Sequence, residues 1–287
     1  MKTVKWLIIL FIIFVVSAMG TLIVVYATGY RQDYKDFRET IDFQDTRSIR
    51  DITAIEVRLN VGRVNIIPSD EEHLSLSFTG EHYALFKKKK VFSIDVKEED
   101  HTLFIHAEVN NYYLIGLMQS TENVVLNVWL PRAYEHDLSL NVSVGDIYVQ
   151  DLTLDQLRIN GSTGAVNLKN LTLNRGVIKL STGDIEASLL GGDIDVSLNT
   201  GDVDLIHLGD AFDIDVFLRT GSVEVILSPE AKFDLQAEIR TGDISSKFPV
   251  TQTEKGRNKL IGYVRESGWN RVKIEVRTGS IEIEPKA

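Results

Sequence analysis

Eight times along this 287-residue chain a run of alternating apolar residues meets a glycine corner and then resumes its alternation on the opposite parity. In the last copy Ile274, Val276 and Thr278 share one parity, Gly279-Ser280 intervene, and Ile281 and Ile283 continue on the other. Alternate side chains of a strand face opposite ways, so a parity switch keeps the apolar set on the core side only if one extra residue is spent at a bend. Glycine suits such a bend because it reaches positive φ without a Cβ clash. The corner glycines are Gly62, Gly145, Gly164, Gly183, Gly201, Gly221, Gly242 and Gly279, and from Gly145 to Gly242 they are 19, 19, 18, 20 and 21 residues apart.

A period of about 20 residues points to a solenoid or array, whereas a propeller blade needs about twice that length. Each unit holds one strand before the corner, such as Ile194, Val196 and Leu198 ahead of Thr200, and a short one after it, Val203 and Leu205. Two short strands cannot bury a face alone, so neighbouring units must stack. The expected fold is all-β: a β-solenoid-like stack of strand, Gly corner and strand, with a β-sandwich of hairpins as the alternative. Residues 68–136 break the period as an irregular β insertion with strands of their own, and residues 248–271 form a polar late loop or hairpin.

Ahead of the repeat, Trp6 through Ala27 contains no charged residue. At 1.5 Å per residue that segment spans about 33 Å, the thickness of a bilayer core. It is longer than the apolar core of a signal peptide, so it reads as a retained anchor. The expected order is a cytoplasmic tail at 1–5, a single-pass transmembrane helix at 6–27, a polar tether at 28–50 and an extracytoplasmic β-repeat domain at 51–287. There is no cysteine, which excludes disulfides, thiolate metal sites and cysteine nucleophiles.

The formal charge of −10 is carried entirely by residues 137–250, with eight Lys/Arg against eighteen Asp/Glu, while the rest balances at 23 against 23. An acidic repeat disfavours nucleic acid and anionic headgroups and leaves cations and cationic peptides as partners. Asp146, Asp184, Asp202 and Asp243 follow corner glycines and would form a column, a weak calcium candidate that makes a calcium-dependent adhesin the alternative reading. The same aspartates also serve as turn residues bonding local backbone. Thr163, Thr182, Thr200, Thr220, Thr241 and Thr278 precede their glycines and would align as a ladder.

Within the insertion, Lys87, Lys88, Lys89 and Lys90 make an electrostatic patch beside Phe86 and Phe92, and Tyr112 and Tyr113 open an apolar stretch. Together they are a candidate interaction surface. No nucleophile elbow, phosphate loop or dinucleotide fingerprint occurs, and the six histidines are scattered, so neither enzyme activity nor a cofactor is expected. A polysaccharide-acting enzyme on a β-helix, using carboxylate pairs such as Asp193 and Asp195, is the remaining alternative.

The corners STGDIEA (181–187), NTGDVDL (199–205), RTGSVEV (219–225), RTGDISS (240–246) and RTGSIEI (277–283), with NVGRVNI (60–66) as an outlier, resemble the "putative adhesin" family of bacterial β-strand-repeat proteins. With the N-terminal anchor, the chain is similar to members encoded in Gram-positive cell-envelope stress operons. The resemblance implies an extracytoplasmic, membrane-tethered, non-enzymatic protein whose partners are other envelope-stress membrane proteins or cell-wall components.

Overall fold

The structure is a computed structural model that describes Ser17 and residues 38–84, 91–110 and 119–286. The segment 6–27 and the candidates Lys87, Lys88, Lys89, Lys90, Tyr112 and Tyr113 lie outside the described residues, apart from Ser17. Among the described residues no helix is long and apolar enough to cross a membrane.

Among the described residues eighteen strands follow in order. The first nine are β1 (Arg38–Ser48), β2 (Ala54–Val61), β3 (Arg63–Ser69), β4 (His73–Ala84), β5 (Phe92–Glu99), β6 (Thr102–Val109), β7 (Gln119–Pro131), β8 (Asp137–Val144) and β9 (Ile147–Gln150). The others are β10 (Thr153–Thr163), β11 (Val166–Thr182), β12 (Ile185–Thr200), β13 (Val203–His207), β14 (Asp213–Leu227), β15 (Phe233–Ser246), β16 (Val250–Gly256), β17 (Lys259–Val264) and β18 (Asn270–Pro285). Each glycine corner divides a rung into an arm before it and an arm after it.

The leading arms pair in parallel as β6, β2, β8, β10, the second half of β11, the second half of β12, β14, β18 and β15. The trailing arms form a second parallel ladder through β7, β3, β9, β11, β12, β13, β14, β18 and β15. Their inner faces make the core: Ile214, Val216 and Leu218 before the corner and Val223, Val225 and Leu227 after it are all at most 1% exposed. Each such side chain contributes about 1.5–3 kcal/mol of burial. The connections between rungs carry buried leucines of their own, Leu152, Leu154, Leu171 and Leu173.

The order of rungs is not the order of the chain. The β2–β3 rung lies between β6–β7 and β8–β9, and the C-terminal β18 lies between β14 and β15. Both outlying corners therefore sit inside the stack. Gly145 stands next to Gly62, and Gly279 stands between Gly221 and Gly242. The stretch read from sequence as an insertion supplies β6 and β7, which continue both ladders, and only β4 and β5 turn antiparallel against them. At the opposite end β17 pairs antiparallel with β15, and β16 with β17.

The boundary of the expected polar tether is corrected. Residues 38–48 form β1, antiparallel to β4, because Ile41, Phe43 and Asp45 alternate with exposed neighbours and the two apolar side chains pack against the core. The outermost strands carry charges that discourage edge-to-edge pairing, with Asp95, Lys97, Glu98 and Glu99 exposed on β5.

At the corners the glycines do more than bend the chain. Gly164 has φ +140°, and a Cβ there would stand 2.0 Å from the carbonyl oxygen of Gly145. The same approach repeats up the column to Gly242, where the Gly279 carbonyl would lie 1.8 Å away. This closeness lets the ladder cross the corner without a gap. Gly145, Gly164, Gly183 and Gly201 donate their N–H groups to Thr163, Thr182, Thr200 and Thr220 at 2.8–3.1 Å.

Candidate functional site

Three of the four corner aspartates are used by the scaffold. Asp146 Oδ1 accepts the Ala165 N–H at 3.1 Å, Asp184 Oδ1 accepts that of Asp202 at 3.0 Å, and Asp202 Oδ1 accepts that of Ser222 at 2.7 Å. Each carboxylate satisfies the amide just past the next corner, where the ladder would otherwise leave a donor bare. In register, Ala165 separates Asp146 from Asp184, while Ser222 and Ser280 separate Asp202 from Asp243. Only Asp184 and Asp202 are brought side by side. Among the described residues no group of three or more His, Asp or Glu side chains is placed to hold a metal ion.

The threonines do align. Thr163, Thr182, Thr200, Thr220, Thr278 and Thr241 are successive register partners, exposed along the corner edge. Asp193 and Asp195, the carboxylate pair weighed for catalysis, are both engaged: Asp193 Oδ1 accepts the Asp213 N–H at 2.8 Å, and Asp195 binds Arg175 at 2.5 Å. Of the histidines, His207 is fully buried, with Nε2 2.8 Å from the Gly192 carbonyl oxygen and Nδ1 accepting the Gly209 N–H at 3.3 Å. Burial lowers its pKa, so it is neutral and structural.

A different surface gathers the chemistry. Three residues past each corner glycine the side chain points outward from the trailing-arm sheet. In spatial order these residues are Asn65, Tyr148, Asn167, Glu186, Asp204, Glu224, Glu282 and Ser245. Four carboxylates thus stand on adjacent strands, about 4.8 Å apart by strand spacing. Like charges directly opposite one another destabilise a sheet, so this arrangement has a cost. The Asp204 carboxyl is held above its usual range, chiefly by burial and then by Glu186, Asp202 and Asp184. Glu224 is raised for the same reasons, burial first and then Asp204, Glu284 and Glu282. Compensation comes at one end, where Lys247 binds Glu284 at 2.5 Å and Glu282 at 3.5 Å.

Beside this row the sheet dips into a groove of about 410 Å³ lined by Tyr148, Asn167, Lys169, Glu186, Ser188, Asp204 and Ile206, among others. The register explains the dip: Asn167 and Ser188 sit on the two middle strands, with larger Tyr148 on β9 and Ile206 on β13 to either side. Tyr148 is fixed from behind by the Arg63 guanidinium, 5.3 Å from the ring centroid, which also reaches Asp146 at 3.6 Å. No single strand shows this groove in its own sequence. Its signal is an acidic residue recurring three places after Gly183, Gly201, Gly221 and Gly279, visible once the repeats are aligned on their glycines.

A parallel β-coil of short rungs, turned on a glycine column and offering broad sheet faces, defines the class of protein. The chain belongs to the Toastrack DUF4097 family, whose model matches it twice, over residues 52–190 and 145–284. No curated protein matches the chain. Among solved structures it is similar to a "putative cell adhesion protein" from Clostridium sporogenes, with 14% identity and TM-score 0.40 over 86% of this chain and 100% of that one. It is also similar to a "putative adhesin" from Bacteroides fragilis, with 14% identity and TM-score 0.38 over 85% and 97% of the two chains. A third, a "putative adhesin" from Parabacteroides merdae, shares 11% identity with TM-score 0.34 over 84% and 95%.

Proposed function

We propose that this protein is a membrane-anchored, extracytoplasmic β-repeat module that binds or scaffolds partners at the bacterial cell envelope and performs no catalysis. The observation that carries the reading is the uncharged run from Trp6 to Ala27 placed directly ahead of the coil. With β1 beginning at Arg38, residues 28–37 remain as the link between bilayer and fold. Ten residues reach at most about 36 Å. The module therefore stands close to the membrane, with the β1–β4 cap nearest to it.

The glycine-corner motifs behind a single anchor favour a LiaG-like role in the envelope stress response, with envelope-stress membrane proteins or cell-wall components as partners. The adhesin names of the similar structures agree with a surface role. Calcium-dependent adhesion through the corner aspartates is disfavoured because three of the four are committed to backbone amides.

Protease treatment of intact cells tests the topology. The coil should be degraded while a cytoplasmic marker survives, and a protected coil that becomes sensitive only after lysis would reverse the assignment.

A further inference from the structure

The trailing-arm face combines an apolar groove with a row of carboxylates. Its groove is walled by the Tyr148 ring and Ile206 and floored by Asn167 and Ser188, a surface able to take apolar side chains. Glu186 and Asp204 line the same groove, and Glu224 and Glu282 continue the row beyond it. Lys169 at the rim is the one basic side chain lining the groove among the described residues, and Lys247 is engaged with Glu282 and Glu284. A sheet stabilised only by its own contacts gains nothing from stacking carboxylates on consecutive strands. A cationic ligand would relieve that repulsion, and an apolar groove alongside would add affinity that charge alone does not supply.

The geometry points to this groove as a docking site for a cationic amphipathic peptide segment, its Lys or Arg side chains on Glu186 and Asp204 and its apolar side chains against Tyr148 and Ile206. The assignment deepens the reading of the protein as a binding module and is independent of membrane topology, which the protease experiment tests separately. The raised carboxyls of Asp204 and Glu224 agree with it, since both would ionise more readily beside bound cations.

The experiment uses the full-length chain in zwitterionic detergent, with empty micelles as the blank, and fluorescence anisotropy of labelled synthetic peptides. The probes are an alternating Lys-Leu peptide, a Lys-Gly peptide of equal charge and a Gln-Leu peptide. The Lys-Leu peptide should bind tightest. The double variant Glu186→Gln/Asp204→Asn should weaken it about tenfold, equivalent to about 1.4 kcal/mol, and Ile206→Thr should weaken Lys-Leu but not Lys-Gly. Removing the same charge from the opposite sheet, with Glu238→Gln/Glu275→Gln, should leave binding unchanged. Equal binding of Lys-Leu and Lys-Gly, or equal loss from the two double variants, would overturn the site and leave only general attraction to an acidic surface.

Discussion

The carbonyl oxygen of Gly164 lies 1.9 Å from the point where a Cβ on Gly183 would stand. Two requirements therefore meet at Gly183, a φ of +131° and a backbone neighbour too near for any side chain. The second is the stricter, because a neighbouring backbone carbonyl cannot rotate away as a side chain can. Gly183→Ala should cost more than about 4 kcal/mol, the range reserved for severe local conflict. Gly268 is the comparison: its φ is +88°, but nothing lies within 4 Å of an added Cβ. Gly268→Ala should cost only about 1–2 kcal/mol for the left-handed backbone. Thermal or urea melts of the two variants decide it, and similar losses would mean that conformation alone dictates the corner.

That column also shows what was legible in the sequence. The corners were readable because the demand for glycine is local and recurs at each rung. The order of rungs was not. Gly279 carries an ordinary corner motif and Gly62 an outlying one, and nothing in them states that β2–β3 slips between β6–β7 and β8–β9 or that β18 slips between β14 and β15. The polar content of residues 28–50 hid β1, whose apolar share is only Ile41 and Phe43. The groove stayed hidden because Tyr148, Asn167, Glu186 and Asp204 belong to four rungs and meet only through register.

The carboxylate row predicts a stabilising substitution. A carboxyl whose folded pKa is raised contributes most when protonated, and that contribution is lost as pH rises through the folded value. Asp204 is such a group. Asp204→Asn should therefore raise stability at pH 7 and low salt by a fraction of a kcal/mol, with the advantage shrinking toward pH 4 and in high salt. Melting curves at two pH values and two salt concentrations test this, and a variant less stable than wild type at pH 7 would show that the row is not under repulsion.

His207 gives the opposite sign. Its folded pKa is lowered by burial from the ordinary 6.5, so the unfolded chain takes up a proton first as pH falls. Its stabilising contribution is complete above pH 6.5 and declines below that, down to the lowered folded value. His207→Gln does not titrate and should cost about 1–3 kcal/mol at pH 7.5 through lost or imperfect bonds to Gly192 and Gly209. The gap between wild type and variant should narrow by pH 5.5. Parallel stability curves across that window would remove His207 from the pH response.

The insertion of β18 between β14 and β15 is fastened by a buried amide. Asn270 Nδ2 donates to the carbonyl oxygens of Asp210 at 2.9 Å and Lys232 at 3.0 Å, and its Oδ1 accepts the Phe212 N–H at 3.0 Å. One side chain thus ties the start of β18 to the segments leading into both neighbours. Asn270→Ala should cost about 1–3 kcal/mol, because buried groups lose their partners. Asn270→Asp keeps the shape but turns an oxygen toward two carbonyls, so at pH 7 it should cost more than alanine. Lowering the pH should narrow that difference, since a protonated carboxyl recovers one donor. If Asn270→Asp were as stable as wild type at pH 7, the amide would not be the fastener, and the packing of Val272, Ile274 and Val276 alone would hold β18 in place.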